Sequence, residues 1–295
     1  MNLSELLVKK IVVLDGAMGT RLLEQGKKGA LELLNVNEPE AVEAIHEAYI
    51  EAGADIITTN TTCADALSLE EYGLQERSYE ITRAGAELAR RVADRHSTSL
   101  SPRFVAGSVG PTTRNLTLAS DAMTEKVAEA YANVIRALID GGVDMILIET
   151  VMDARNAALA VEECRKIDKQ IPIIISAVPS RIEGRVASGA TISKFLEDIP
   201  LDEVVAVGFN CSRGVQAMAS SLKILADSCD KAVVAYPAAE SLGEPANRYA
   251  KNMEQLCRGG VVNIIGGCCG TTPEHTRHMA KLAARWRPRK VKRIK

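Results

Sequence analysis

The chain has 295 residues, of which 46% are apolar and 25% charged, and its 36 Lys plus Arg against 38 Asp plus Glu leave a net charge of −2. That content supports a packed core and excludes a disordered chain. The near-neutral balance supplies no field for a polyanion, and 3% aromatic residues with one Trp are too few for a surface that stacks single-stranded nucleic acid, so no nucleic-acid partner is expected.

From the N-terminus, Glu5, Lys9 and Lys10 break the first apolar stretch, which therefore does not read as a signal peptide, and no later apolar run is long enough to span a membrane. Short runs rich in Val and Ile then recur: 11–14, Ile56–Ile57, 104–106, 145–148, 171–175, 204–207, 232–235 and 261–265. Each is too short for a typical helix and reads as a strand buried on both faces. Between them lie segments with helical spacing. Pro39 to Ala52 follows Asn37, and a helix from Asp121 or Thr124 to Ile139 carries Val127, Tyr131, Val134 and Leu138 on one face. Asp153 to Ile167, the run at 190–200, Ser212 to Ala226, and Pro273 to Ala284 behind a Thr272 cap continue the series. Strand and helix in eightfold alternation predict a single-domain α/β chain, a (β/α)8 TIM barrel over residues 1–285. A doubly wound sheet is the weaker alternative, because no Gly-x-Gly-x-x-Gly follows the first strand. Residues 285–295 hold seven Lys or Arg and read as a basic tail, disordered from 286, or as a docking segment for an acidic partner.

In such a barrel the chemistry lies at the C-terminal ends of the strands. The first run ends in Asp15-Gly16-Ala17, the second in Thr58-Thr59-Asn60-Thr61, the fourth in Glu149-Thr150, the sixth in Asn210-Cys211 and the eighth in Gly266-Gly267-Cys268-Cys269-Gly270. Three cysteines on one rim suit zinc, which takes thiolates tetrahedrally and keeps a fourth position open in catalytic sites. Cys268 and Cys269 are adjacent, so they reach one metal only if the strand ends or bulges there, a freedom the flanking glycines supply. Read singly, the pair could equally be buried apolar cysteines. Asp15 and Glu149 either clamp a substrate ammonium or act as a helix cap or salt bridge to Arg21 or Arg155, and the Gly16 and Ala17 N–H groups can receive a carboxylate. Together they describe an α-amino acid site beside a thiolate-bound metal.

The remaining thiols and imidazoles promise less. Cys164, Cys229 and Cys257 fall in or beside helices and read as packing, Cys63 follows the second strand and can face the site, and His46, His96, His275 and His278 lie away from strand ends. The odd count of seven cysteines disfavours a disulfide framework and points to a reducing cytoplasm.

DGAMGT (15–20), GADIITTNT (53–61), AGSVGPT (106–112), DMILIET (144–150), GFNCS (208–212) and VNIIGGCCGTTPEH (262–275) resemble the zinc-dependent homocysteine S-methyltransferases, from about Ile11 to Arg285. The resemblance implies a methyltransferase with Zn2+ on Cys211, Cys268 and Cys269, with the homocysteine ammonium near Asp15 and Glu149 and its carboxylate at the Gly16–Ala17 turn. Methylation of the homocysteine thiol then gives methionine. GPTTRNLTLAS (110–120), ETVMDARNA (149–157) and GRVASGAT (184–191) are similar to the homocysteine domain of cobalamin-dependent methionine synthase. That implies methylcobalamin as donor, carried on a separate corrinoid protein or on folate and cobalamin domains that would begin where this chain stops. The alternatives are an S-methylmethionine-dependent enzyme, whose relatives usually continue Gly-Pro-Tyr-Gly, and a non-catalytic barrel that regulates a corrinoid protein. A metal-dependent lyase would need an oxygen- or His-rich site. One departure stands out: the family's Tyr-Pro-Asn reads Tyr236-Pro237-Ala238 here, leaving Glu240 or Cys63 to replace the Asn amide, or a different thiol as acceptor.

Overall fold

Eight parallel strands, β1 (Val12–Val13), β2 (Ile56–Thr58), β3 (Phe104–Val109), β4 (Met145–Val151), β5 (Ile173–Ala177), β6 (Ala206–Asn210), β7 (Ala232–Tyr236) and β8 (Ile264–Ile265), form one sheet in the order β1-β8-β7-β6-β5-β4-β3-β2. The Leu14–Ile56 bridge, with Asp15 N donating to Ile56 O at 3.0 Å, joins β1 to β2 and closes the barrel. The computed structural model describes residues 3–116, 120–212, 214–239 and 243–291.

Alternation along the strands sorts the core into two shells. Val12, Leu14, Ile56, Ala106, Leu147, Ile174, Val234 and Ile264 meet inside the barrel, where Leu3, Leu6 and Leu7 of α1 (Leu3–Lys9) plug the base. Their neighbours Val13, Ile146, Ile148, Ile173, Ile175, Val207, Val233 and Ile265 face outward into the helix layer.

Short helices α2 (Gly19–Glu24) and α3 (Leu34–Asn37) line the loop after β1, and α5 (Ala66–Leu69) the loop after β2. The outer ring is α4 (Pro39–Glu51), α6 (Ser78–His96), α7 (Asp121–Asp140), α8 (Ala154–Ile167), α9 (Ile192–Asp198), α10 (Gly214–Ser228), α11 (Ala246–Arg258) and α12 (Pro273–Ala283). Pro39 opens α4 as expected, Ser120 caps α7 through the Met123 N–H at 3.3 Å, and Asp153 caps α8 through the Arg155 N–H at 3.0 Å. The eightfold (β/α) barrel expected from the sequence is the fold.

Two local differences matter for the site. β6 begins at Ala206 and runs through Asn210, so Asn210 is a strand residue facing the barrel mouth rather than a loop residue. β4 continues past Glu149 to Val151, with a register shift against β5 between Ile148 and Val151. Glu149 and Thr150 therefore form a bulge inside the strand, a device that re-aims a side chain.

The tail expected to be disordered from residue 286 is held as far as Val291. Arg289 N donates to Val262 O at 3.0 Å, its guanidinium to Ala226 O and Cys229 O at 2.6 and 2.7 Å, and Asn263 Nδ2 to Arg289 O at 2.9 Å. Carbonyls at the C-terminal end of α10, just beyond it and just before β8 accept these bonds. Residues 292–295 lie outside the described residues. Among the described residues no helix is long and apolar enough to cross a membrane.

Candidate active site

The mouth of the barrel holds a cavity of about 290 Å³ whose wall includes Asp15, Gly16, Ala17, Glu32, Cys63, Glu149, Cys211, Tyr236, Cys268 and Cys269. All seven residues singled out from the sequence as site residues thus meet in one space.

Cys211 follows β6, and Cys268 and Cys269 follow β8. Their sulfurs lie within 4.8 Å of one another, at 3.1 Å for Cys211–Cys268, 3.7 Å for Cys211–Cys269 and 3.9 Å for Cys268–Cys269. The backbone makes this possible in two ways. Cys211 takes a left-handed conformation at φ 56°, and Gly270 at φ 78° turns the chain directly after Cys269. Gly267 packs so tightly that a Cβ there would meet Thr271 Oγ1 at 2.4 Å. Thr271 Oγ1 in turn donates to Cys268 O at 2.7 Å, and Cys268 N donates to Pro237 O at 2.9 Å, so the Cys-Cys turn is fixed to both β7 and α12's leading loop. Hydrogen bonds from Cys211 and Cys268 pull Cys269 down to about 3, and bonding to Cys211 and Cys269 keeps Cys268 well above the usual thiol range.

Asp15 is 2% exposed. Its carboxylate accepts from Thr58 N at 2.7 Å and from Thr58 Oγ1 at 2.9 Å, and burial pushes it up to about 8 despite those bonds, with the Glu149 charge adding to the rise. Glu149 accepts from Ser108 Oγ at 2.5 Å and from Asn210 Nδ2 at 3.5 Å, and burial raises it as well. Neither carboxylate has an ion-pair partner among the described residues. Of the two arginines weighed as partners, Arg21 pairs with Glu24, and Arg155 Nη1 donates to Leu116 O at 2.8 Å. In the Gly16–Ala17 turn, Ala17 N donates to Thr271 Oγ1 at 3.1 Å, and Tyr49 Oη donates to Ala17 O at 2.8 Å. Gly16 fits because a Cβ there would lie 2.7 Å from Thr271 Oγ1 and 2.9 Å from Tyr49 Oη.

Sequence reading assigned no role to Thr58, Ser108, Asn210 or Tyr236, yet these polar residues position the carboxylates or share the cavity. Asn210 is the hub: its Oδ1 accepts from Ser176 Oγ at 2.9 Å and its Nδ2 lies 4.0 Å from Cys268 Sγ. A polar residue at the last inward-facing place of a strand, where Asn210 and Tyr236 both stand as a paired couple across β6 and β7, was the available signal.

The secondary candidates fall outside the cluster. Cys63 sits on the cavity wall, away from the three-thiol group, and its thiol is pushed up to about 12, chiefly by burial and then by Glu32. Cys164 and Cys257 are buried as packing residues. His275 caps α12, accepting from Thr272 N at 3.2 Å and lying 2.9 Å from Glu244 O. His96 pairs with Glu47, His278 with Glu274, and burial lowers His46 to about 4. Glu240 lies outside the described residues.

The fold is shared with solved structures of the homocysteine methyltransferase MmuM from Escherichia coli. Its oxidized form superposes with a TM-score of 0.79 at 25% identity, covering 92% of this chain and 95% of that one. Its metallated form gives 0.78 at 24% identity over 94% of this chain and 96% of that one, a likeness of fold. A family model described as homocysteine S-methyltransferase matches residues 12–283. This barrel, a methyltransferase, belongs to the homocysteine S-methyltransferase family.

Proposed function

We propose that the chain methylates the thiol of homocysteine to give methionine, with a zinc ion held by Cys211, Cys268 and Cys269. The observation that carries this reading is the convergence of three thiols beside two buried carboxylates that, among the described residues, lack a counter-ion. The donor set fits the metal. Tetrahedral zinc–thiolate bonds of about 2.3 Å place sulfurs about 3.8 Å apart, against 3.1 to 3.9 Å here. When bound, such an ion favours the ionised form of a thiol placed beside it at neutral pH.

The protein's own residues do the rest. Asp15 and Glu149 are held ready by Thr58 and Ser108, and an ammonium group supplies the positive charge both lack. Ala17 N–H is already spent on Thr271, which leaves Gly16 N–H to receive the amino acid carboxylate. In the transfer, a sulfur lone pair forms the new S–CH3 bond as the donor–CH3 bond breaks with its electrons staying on the donor, and the thiol proton is released. A site that must keep three thiols reduced suits a cytoplasmic protein.

For the donor, the 110–120 stretch supports methylcobalamin presented by a separate corrinoid protein, since a corrin ring is far larger than the cavity of about 290 Å³ and would have to dock over its mouth. A second reading, a small sulfonium donor such as S-methylmethionine, is favoured by the cavity wall itself, which carries Asp15, Glu32 and Glu149 and, among the described residues, no Lys, Arg or His. Zinc-loaded protein given homocysteine with each donor separately decides between them. Methionine from methylcobalamin alone supports the corrinoid reading, and methionine from S-methylmethionine alone replaces it. No product from either, with metal bound, sinks homocysteine as the acceptor of a free donor.

A further inference from the structure

The turn that carries Cys268 and Cys269 starts where the sheet around it ends. β8 stops at Ile265, and Pro237, which follows β7, has no N–H with which to continue the ladder. Tyr249, fully buried in the first turn of α11, reaches this place from the helix layer. Its Oη lies 2.8 Å from Pro237 O and 2.9 Å from Gly266 O, so its one hydrogen ties the end of β7 to the end of β8. Pro237 O also accepts from Cys268 N at 2.9 Å, and Cys269 O accepts from Ala239 N at 2.9 Å. The hydroxyl therefore acts on the two segments between which the cysteines are held. The ring that carries it is held in turn by His275 at the start of α12. The two rings pack edge to face with centroids 5.3 Å apart at 82°, and His275 Nε2 lies 2.9 Å from Glu244 O.

Adjacent residues of an extended strand point to opposite faces, so Cys268 and Cys269 reach one metal only while the turn keeps its shape. Thr271 holds one side of that turn through Cys268 O at 2.7 Å, and Tyr249 holds the other through Pro237 and Gly266. We propose that the Tyr249 hydroxyl is a positioning group for the metal site, which keeps the Cys268–Cys269 turn in its ligating shape while the site is empty. This rests on the zinc reading above. Tyr249 does not line the cavity and so meets neither substrate nor donor. Without its hydroxyl the two strand ends lose their tie and the empty turn relaxes. Binding of zinc then has to restore the shape, which lowers the affinity.

The test measures zinc affinity by competition with a chromogenic chelator in wild type, Tyr249→Phe and Tyr131→Phe, with thermal unfolding of each metal-free protein alongside. Phe at 249 keeps the ring that His275 packs against and removes the hydroxyl alone. Tyr131 is the control: it is also buried, its Oη accepts from Asn156 Nδ2 at 3.3 Å, and it stands on α7 outside the cavity wall. The proposal expects zinc affinity to fall about tenfold or more in Tyr249→Phe and to hold in Tyr131→Phe, whatever either loses in unfolding temperature. A hydroxyl that serves the fold alone would lower the unfolding temperature of Tyr249→Phe and leave its zinc affinity unchanged, which overturns the proposal, as does an equal fall in both variants. If Tyr249→Phe does not fold, His275→Gln carries the test, because Gln keeps the α12 cap by accepting from Thr272 N and gives up the contact with the Tyr249 ring. A fall in zinc affinity there supports the proposal, and no change overturns it. If wild type itself binds no zinc, the metal reading falls first; if wild type binds and Tyr249→Phe binds equally tightly, the Tyr249 assignment alone falls.

Discussion

Asn210 holds Thr150 from two directions: its Oδ1 accepts from Thr150 N at 3.0 Å, and its Nδ2 donates to Thr150 Oγ1 at 2.9 Å. Thr150 needs that hold, because it is a β-branched residue at φ 57°, a conformation that costs about 1–3 kcal/mol. The strained turn sets Glu149 on the cavity wall, and the same Asn210 precedes Cys211, so one amide couples the Glu149 side of the cavity to the thiol side.

Asn210→Ala should therefore be costly in two respects. It leaves Thr150 N–H and Ser176 Oγ without their buried acceptor, a loss of about 2–4 kcal/mol in unfolding free energy. It also frees the bulge in β4, so Glu149 loses its direction. Denaturant unfolding reads the first effect, and a rise in homocysteine KM larger than the fall in kcat reads the second. A variant as stable as wild type would contradict the clamp.

Replacing any one of Cys211, Cys268 or Cys269 by Ser separates metal binding from folding. The sulfurs sit at the rim, Cys211 and Cys268 half-buried and Cys269 exposed, while the barrel core lies beneath them. Each variant should keep its circular dichroism spectrum and lose its bound zinc, measured as metal per chain after dialysis against a weak chelator, with turnover down at least about a hundredfold. Retention of stoichiometric zinc by all three variants would refute the assigned ligand set.

Gly16→Ala probes the turn at the carboxylate end. The added Cβ would sit 2.7 Å from Thr271 Oγ1 and 2.8 Å from Tyr49 Cε1, and Thr271 also fixes Ala17 and Cys268. Overpacking of this kind costs about 1–3 kcal/mol, and the shift of Thr271 should weaken homocysteine binding together with stability. Unchanged binding in a destabilised variant would show that the Gly16 turn takes no part in holding the substrate.

The barrel was legible because its two periodicities are plain: the apolar runs at 145–148 and 232–235 are too short for typical helices and rich in residues that favour strands, and Val127, Tyr131, Val134 and Leu138 mark one helix face. The convergence of the three thiols was legible because Cys211, Cys268 and Cys269 each follow an apolar run, and strand ends of a barrel share one rim. Asn210 and Tyr236 were given no role of their own, for a physical reason. They are the last residues of their strands, so they read as boundary residues, and only the register that pairs them shows both facing the cavity. The hold on Arg289 was equally hidden, since a run of Lys and Arg carries no mark of the carbonyls it will meet. The bulge at Glu149 and Thr150 depends on a clamp from a residue 60 positions away, beyond any local pattern.

The raised carboxyl of Asp15 makes a pH prediction with a definite sign. The folded protein binds its proton up to about 8, whereas the reference value is 3.8. The folded state thus holds the proton more tightly than the unfolded chain, so the stability this group contributes is complete below pH 4 and is lost as pH rises toward 8. One proton sets the upper limit of that slope at about 1.4 kcal/mol per pH unit. Asp15→Asn removes the slope, so the ligand-free variant should match wild type near pH 4 and exceed it near pH 8, with the thiol contributions cancelling in the comparison. Homocysteine reverses the balance, because its ammonium favours the ionised carboxylate. Binding to wild type at pH 7 should release a proton, seen as a calorimetric heat that changes with the ionisation enthalpy of the buffer, and that part of the release should vanish in Asp15→Asn as affinity falls. An identical proton count for variant and wild type would mean that Asp15 is already ionised in the empty site, and the burial argument for the ammonium clamp would fail with it.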